Sequence, residues 1–176
     1  MYNILSERKL SMSVTDFILN IIMFIMLVVL AWFTFQTANV AVTIFKQRKK
    51  DPSMKFCFNS KGRIFYIVAT IIFLASYIIG IYVVFWIAIP EDNLNYLRIA
   101  VDLVALITTV YAMLISNVIM LGKKEMMIGR MLIDYRKMKK INYGLNDKVS
   151  FIFAQKEYSF TTQFTDLKQI RSAIKR

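Results

Sequence analysis

The chain has no histidine, one cysteine (Cys57), two prolines and five glycines in 176 residues. With no imidazole and a single thiol, it cannot assemble a His/Cys zinc or iron–sulfur centre. A Ser–His or Cys–His hydrolase is excluded for the same reason, and so is a disulfide framework. So few glycines and prolines rule out collagen-like and low-complexity linker sequence. Acids are also scarce, 11 against 23 basic residues, which leaves a net charge of +12. The remainder is apolar: 57% hydrophobic and 14% aromatic. Such a chain is not disordered. Ile, Lys, Asn, Phe, Tyr and Met make up nearly half of it. All have AT-rich codons, which points to an AT-rich bacterial genome.

The apolar residues are gathered into runs. Phe17–Phe45 is 29 residues and Ile64–Pro90 is 27, both without a charge. Ile99–Leu121 is 23 residues with one charge, Asp102. About 20 apolar residues cross a bilayer core as a helix. As buried helices of a soluble protein, three such runs would leave too little polar chain to cover them. The expected fold class is therefore membrane α-helical, with transmembrane helices at 17–45, 64–90 and 99–121. The first run follows a mixed polar segment and exceeds a signal-peptide core, so it reads as a permanent span.

Lys and Arg give the orientation. Residues 1–16 carry Arg8 and Lys9 against Glu7 and Asp16, and loop 91–98 carries Glu91, Asp92 and Arg98. Loop 46–63 carries seven basic residues and one acid, and tail 122–176 thirteen and five. Three spans put 20 of the 23 positive charges on one side. The positive-inside rule makes that side cytoplasmic. The expectation is a multi-pass cell-membrane protein, with 1–16 and 91–98 outside and 46–63 and 122–176 inside. The charge then serves topology and attraction to anionic inner-leaflet lipid. Lys46, Arg48, Lys49, Lys50, Arg136, Lys137, Lys139 and Lys140 are candidate contacts for lipid headgroups or a partner. The segment Tyr135–Tyr143 interleaves basic residues with tyrosine as nucleic-acid binders do. Beside a membrane the same pattern meets headgroups, and no nucleic acid is expected.

Small residues step by 3 and 4 within each span: Ala31, Thr34, Ala38 and Ala41; Ser76 and Gly80; Ala105, Thr109, Ala112 and Ser116. Small faces let helix backbones approach in lipid. Three such seams suit a three-helix bundle or a homo-oligomer. Asp102 is the sole charge within a span, and Arg98 precedes it by one turn. The spacing predicts an i,i+4 charge pair near the outer boundary, and the competing reading is an ion or proton path. Asn20, Gln36, Asn39 and Asn117 lie near span ends. No selectivity-filter sequence or repeated arginine series accompanies them.

The tail 122–176 changes character. Met131–Tyr135 and Ile141–Tyr143 read as short strands. Val149, Phe151 and Phe153, then Tyr158, Phe160, Thr162 and Phe164, alternate with other residues on either side of Gln155–Glu157. That is a β-hairpin pattern with one aromatic face. Thr165 and Asp166 can cap a helix in which Leu167, Ile170 and Ile174 form one apolar face, suited to cover the hairpin. The acids Asp134, Asp147, Glu157 and Asp166 fall at turns or caps and suggest no catalytic pair; Gly122, Gly129 and Gly144 form no phosphate loop. The expected tail is thus a small α+β module. Its order, strands and then one closing helix, resembles the bacterial pleckstrin-homology-like domains of small Gram-positive-type multi-span membrane proteins. The resemblance covers about Met126–Arg176 and is carried by Met131–Tyr135, Val149–Phe164 and Asp166–Ile174. It implies a seven-stranded domain, of which the tail offers four or five strands; it implies no phosphoinositide recognition. Met54, Phe56 and Phe58 in loop 46–63 alternate like a further strand, or like an interfacial segment with aromatics in lipid. Cys57 reads as a reduced cytoplasmic thiol, with lipidation the alternative.

No catalytic, cofactor or metal constellation is expected. The leading functional expectation is a non-enzymatic membrane protein presenting a cytoplasmic module to lipid or a partner. The alternatives are an immunity protein against a bacteriocin or secreted toxin, and a small channel or transporter subunit using Asp102.

Overall fold

The computed structural model describes residues 2–90, 93–144 and 148–174, without the side chains of residues 2–13, 15 and 16. Glu91, Asp92 and Asp147 lie outside the described residues. No glycine or proline occurs before Pro52, and the first helix, α1 (Tyr2–Lys50), runs unbroken for 49 residues. It ends where Asp51-Pro52 removes the next backbone donor. Helix α2 (Ser60–Tyr82) is capped by Asn59, whose Oδ1 accepts from Gly62 N at 2.6 Å. It continues as a π turn, Val83–Ala88, in which Ile89 N donates to Val84 O. Helix α3 (Leu94–Ser116) starts at Asn93, whose Oδ1 accepts from Asn95 N. Among the described residues, three helical stretches are long and apolar enough to cross a membrane: Phe17–Lys50, Ser60–Ala88 and Leu94–Ser116.

The third apolar run is not helical to its end. The helix closes at Ser116 through 3-10-type bonds, Asn117 N to Leu114 O and Val118 N to Ile115 O. Ile119–Leu121 is then strand β2. Hydropathy is blind to that boundary, because a buried strand and a span are equally apolar.

The strands form two antiparallel sheets. The first has the order β1 (Lys55–Phe56), β2, β3 (Glu125–Ile128), β4 (Met131–Asp134). The second has β5 (Lys139–Tyr143), β6 (Lys148–Phe153), β7 (Lys156–Thr161). Helix α4 (Leu167–Ile174) follows. Among the described residues the tail 122–176 contributes five strands, β3 to β7; β2 comes from the end of the third apolar run, and the loop after α1 supplies β1. Within 54–58 it is the strand reading that holds: Lys55 pairs with Leu121 and Phe56 with Met120. The hairpin turn is Ala154-Gln155, both at positive φ, rather than Gln155–Glu157. Two successive positive φ values match the right-handed twist of the strands.

The chain folds as two compact units, Met1–Thr34 with Phe73–Val110 and Phe35–Ile72 with Tyr111–Arg176. In the first, Ser76, Gly80, Val104, Ala105 and Thr108 are buried. A Cβ on Gly80 would meet Val104 Cγ2 at 2.6 Å, so α2 and α3 approach too closely there for a side chain. In the second, the first sheet is covered on both faces. Met120 and Met127 pack with Met54 and Ile44, while Ile119, Met126 and Ile133 face the second sheet and α4. Gly129, at φ +56, turns β3 into β4 where a Cβ would strike the Ser116 carbonyl. Its N–H donates to Val118 O at 2.9 Å.

Candidate functional site

Helix α1 ends in Lys46, Arg48, Lys49 and Lys50, all exposed. The last three lie in its final turn, where cations also offset the partial negative charge of the free carbonyls. Next, Asp51 accepts from Ser53 Oγ at 2.6 Å and Ser53 N at 2.9 Å. These bonds hold its carboxyl below the ordinary range. Ser53 Oγ in turn accepts from Lys123 N at 3.2 Å. An open recess of about 420 Å³ is lined by Ser53, Lys55, Lys123, Gln169 and Ser172. Two ammonium groups among neutral polar side chains make it compatible with an anion.

Arg136, Lys137, Lys139 and Lys140 form a second exposed basic segment, running from the link between the two sheets into the start of β5. Asp134 Oδ1 accepts from Arg136 N at 2.9 Å and starts the short 3-10 turn Tyr135–Lys137. The β5–β6 register shifts between Lys139 and Asn142, with Lys140 at φ 50. Bulges of this kind re-aim side chains. Tyr135 OH donates to Gly122 O at 3.2 Å, and burial raises its pKa above the ordinary tyrosine value.

Cys57 is fully buried against Ile119 and Ile170, and its Sγ donates to Asp166 O at 3.4 Å. Burial pushes the thiol up to about 11. A neutral, covered thiol is a poor nucleophile, which tells against lipidation of Cys57. Asp166 caps α4, its Oδ1 accepting from Lys168 N and Gln169 N. Ile170, fully buried, seals the closing helix, and Ile174 and Phe160 each pack against the cluster it forms with Cys57 and Ile119.

The hydrogen bonds seen for Arg98 go to asparagines rather than to Asp102. Arg98 donates to Asn20 Oδ1 at 2.9 Å and to Asn95 Oδ1 at 3.3 Å. Asp102 Oδ1 is buried with no hydrogen-bond partner among the described residues. One-turn spacing permits an ion pair, but the Asn20 amide from α1 offers the guanidinium a competing partner. Among the small residues, Ala105 and Ala112 are buried and Thr109 is half-buried. Ser116 is exposed, and its hydroxyl donates back to Ala112 O. On α1, Ala31 and Ala38 are exposed, while Thr37 and Val40 are buried. Of the predicted small residues on α1, only Thr34 and Ala41 are partly buried.

Sequence reasoning missed Tyr77. Its hydroxyl shares a hydrogen bond with Thr34 Oγ1 at 2.6 Å and accepts from Thr108 Oγ1 at 3.2 Å, tying together all three helices in the first unit. In the second unit Tyr66 OH donates to Leu114 O, and Thr70 meets Tyr111 OH at 3.0 Å. A tyrosine in an apolar run is the available signal, since its hydroxyl needs a partner once buried. Among the described residues, no group of three or more His, Cys, Asp or Glu stands ready to hold a metal ion. No protein-family model, curated protein or solved structure matches the chain.

Proposed function

We propose that this chain is a non-enzymatic, multi-pass membrane protein, N-terminus outside and C-terminus inside. It holds a pleckstrin-homology-like module at the cytoplasmic face for contact with inner-leaflet lipid or a partner. The pairing of β1 with β2 carries this reading. Three crossings put the loop after the first span on the same side as the tail, and the sheet joins those two segments. Both are the segments that the positive-inside rule assigns to the cytoplasm. Seven strands in sheets of four and three, followed by one closing helix, support the family resemblance. The exposed Arg136, Lys137, Lys139 and Lys140 supply an electrostatic contact worth about 1 kcal/mol per charge near an anionic surface.

The test is capture of the full chain from native membranes in mild detergent. Wild type is compared with a variant in which Arg136, Lys137, Lys139 and Lys140 are all glutamine. A protein or anionic lipid recovered with wild type and lost with the variant fits this reading. Equal recovery removes the basic segment from the function.

A further inference from the structure

An open groove of about 580 Å³ runs along the first turns of α2. One wall is aromatic: Phe56 and Phe58 stack at 5.4 Å, and Phe58 stacks on Tyr66 at 4.7 Å. The floor is α2 itself, where Arg63, Ile67 and Ile71 recur at steps of four on one helix face. From Arg63 to Ile71 that face spans about 12 Å at the helical rise. Thr70 also lines the groove, but its hydroxyl is already bound to Tyr66 O and Tyr111 OH. The groove therefore makes one polar demand, at one end. Arg63 is exposed, is the last charged residue before the uncharged run Ile64–Pro90, and has no acidic partner among the described residues.

We infer that this groove binds one anionic glycerophospholipid, with its phosphate on Arg63 and an acyl chain along Ile67 and Ile71 against Phe56 and Phe58. Charge complementarity selects the occupant. A cation at the polar end of an otherwise apolar channel matches a ligand with an anionic head and a hydrocarbon tail. Guanidinium binds phosphate through paired, charge-assisted hydrogen bonds. A neutral helix of a partner would leave Arg63 unanswered. Free phosphate would leave the apolar length empty. This inference rests on the proposed membrane reading and names a residue outside both basic segments described above.

The full-length chain, purified in detergent, is titrated with phosphatidylglycerol, phosphatidylcholine or inorganic phosphate, and native mass spectrometry follows binding. One phosphatidylglycerol should bind about tenfold more tightly than phosphatidylcholine, and excess phosphate should not displace it. Arg63→Gln should abolish that preference while leaving the thermal melt unchanged. Ile71→Trp, which fills the channel, should weaken both lipids about tenfold. Lys61→Gln, off the groove, should change neither. Equal headgroup preference in wild type and Arg63→Gln overturns the inference. So does a dimer that Ile71→Trp dissociates, which would make a second copy the occupant. Membrane fractionation separates the two levels. A chain absent from the membrane fraction overturns both readings, whereas a membrane-embedded chain with no phosphatidylglycerol preference overturns the groove alone.

Discussion

The two units of the chain are built inside out with respect to each other. In the first, large apolar side chains point outward: Phe24, Trp86 and Leu106 are each about two-thirds exposed. Its interior holds Ser76, Gly80, Ala105 and Thr108, with the Tyr77 hydroxyl bonded among them. In the β-rich part of the second, the interior is Met120, Met126, Met127, Ile133, Phe151 and Ile170, all fully buried, and lysines stand outside. In water, burying apolar surface drives packing, at roughly 25 cal/mol per Å². In hydrocarbon that force between helices vanishes, and small residues and interhelical hydrogen bonds take over. On the proposed membrane reading, the contrast teaches that each part is packed for a different solvent.

Ile170→Asp should break the contrast most severely. It puts an unpaired carboxylate where Cys57, Ile119 and Phe160 leave no water, a change expected to cost about 4 kcal/mol or more. That is comparable to the whole stability of a small module. Limited proteolysis of inside-out vesicles should show new cleavage between Val149 and Phe164, with the spans still inserted. Unchanged resistance would mean that α4 is not the seal.

Leu106→Lys comes next and probes the opposite surface. On a water-facing helix, a substitution at so exposed a position changes stability by about 0.5 kcal/mol or less. Facing lipid at the centre of a span it costs about 2.5–3.5 kcal/mol. Carbonate extraction should therefore release a large fraction of Leu106→Lys, while Lys156→Leu on the module leaves the chain in the membrane. Equal behaviour of the two would erase the difference in solvent.

The smallest effect lies at Cys57. Its folded pKa is raised by burial from an ordinary 9.0 to about 11. The stabilisation of the neutral thiol is complete below pH 9 and is lost as pH rises through about 11. Melting of the module, recorded for wild type and Cys57→Ala across that window, should show a steeper decline in wild type. Parallel curves would mean that the thiol is already ionised or reached by solvent.

How legible these parts were depended on how many faces each strand buries. The β6–β7 hairpin leaves one face partly exposed, so its alternation survives in the sequence. Strand β2 is covered on both faces and reads as an unbroken apolar run, and β3 shows only the three apolar residues Met126–Ile128 after Glu125, too short a stretch for alternation to show. Strand β2 also continues the hydropathy of α3, which is why the third span was expected to reach Leu121. Strand β1 is two residues long and is defined by partners 66 and 64 positions away. The Ala154-Gln155 turn lacks the Asn-Gly chemistry that announces such hairpins. Of the candidate sites, exposed basic residues could be located from charge alone. Arg98 could not be assigned, because helical spacing says nothing of Asn20, 78 positions earlier. The groove at Arg63 was hidden too, since it needs Phe56 and Phe58 folded back against Tyr66.

Thiol accessibility in intact cells tests most directly the division between a lipid-packed and a water-packed part. In a Cys57→Ala background, single cysteines replace Asn93, before α3, or the exposed Ser172 of α4. An impermeant maleimide should label Asn93→Cys in intact cells and Ser172→Cys only after the membrane is opened. Labelling of Ser172→Cys with Asn93→Cys protected would reverse the orientation. Labelling of both in intact cells would contradict three crossings outright.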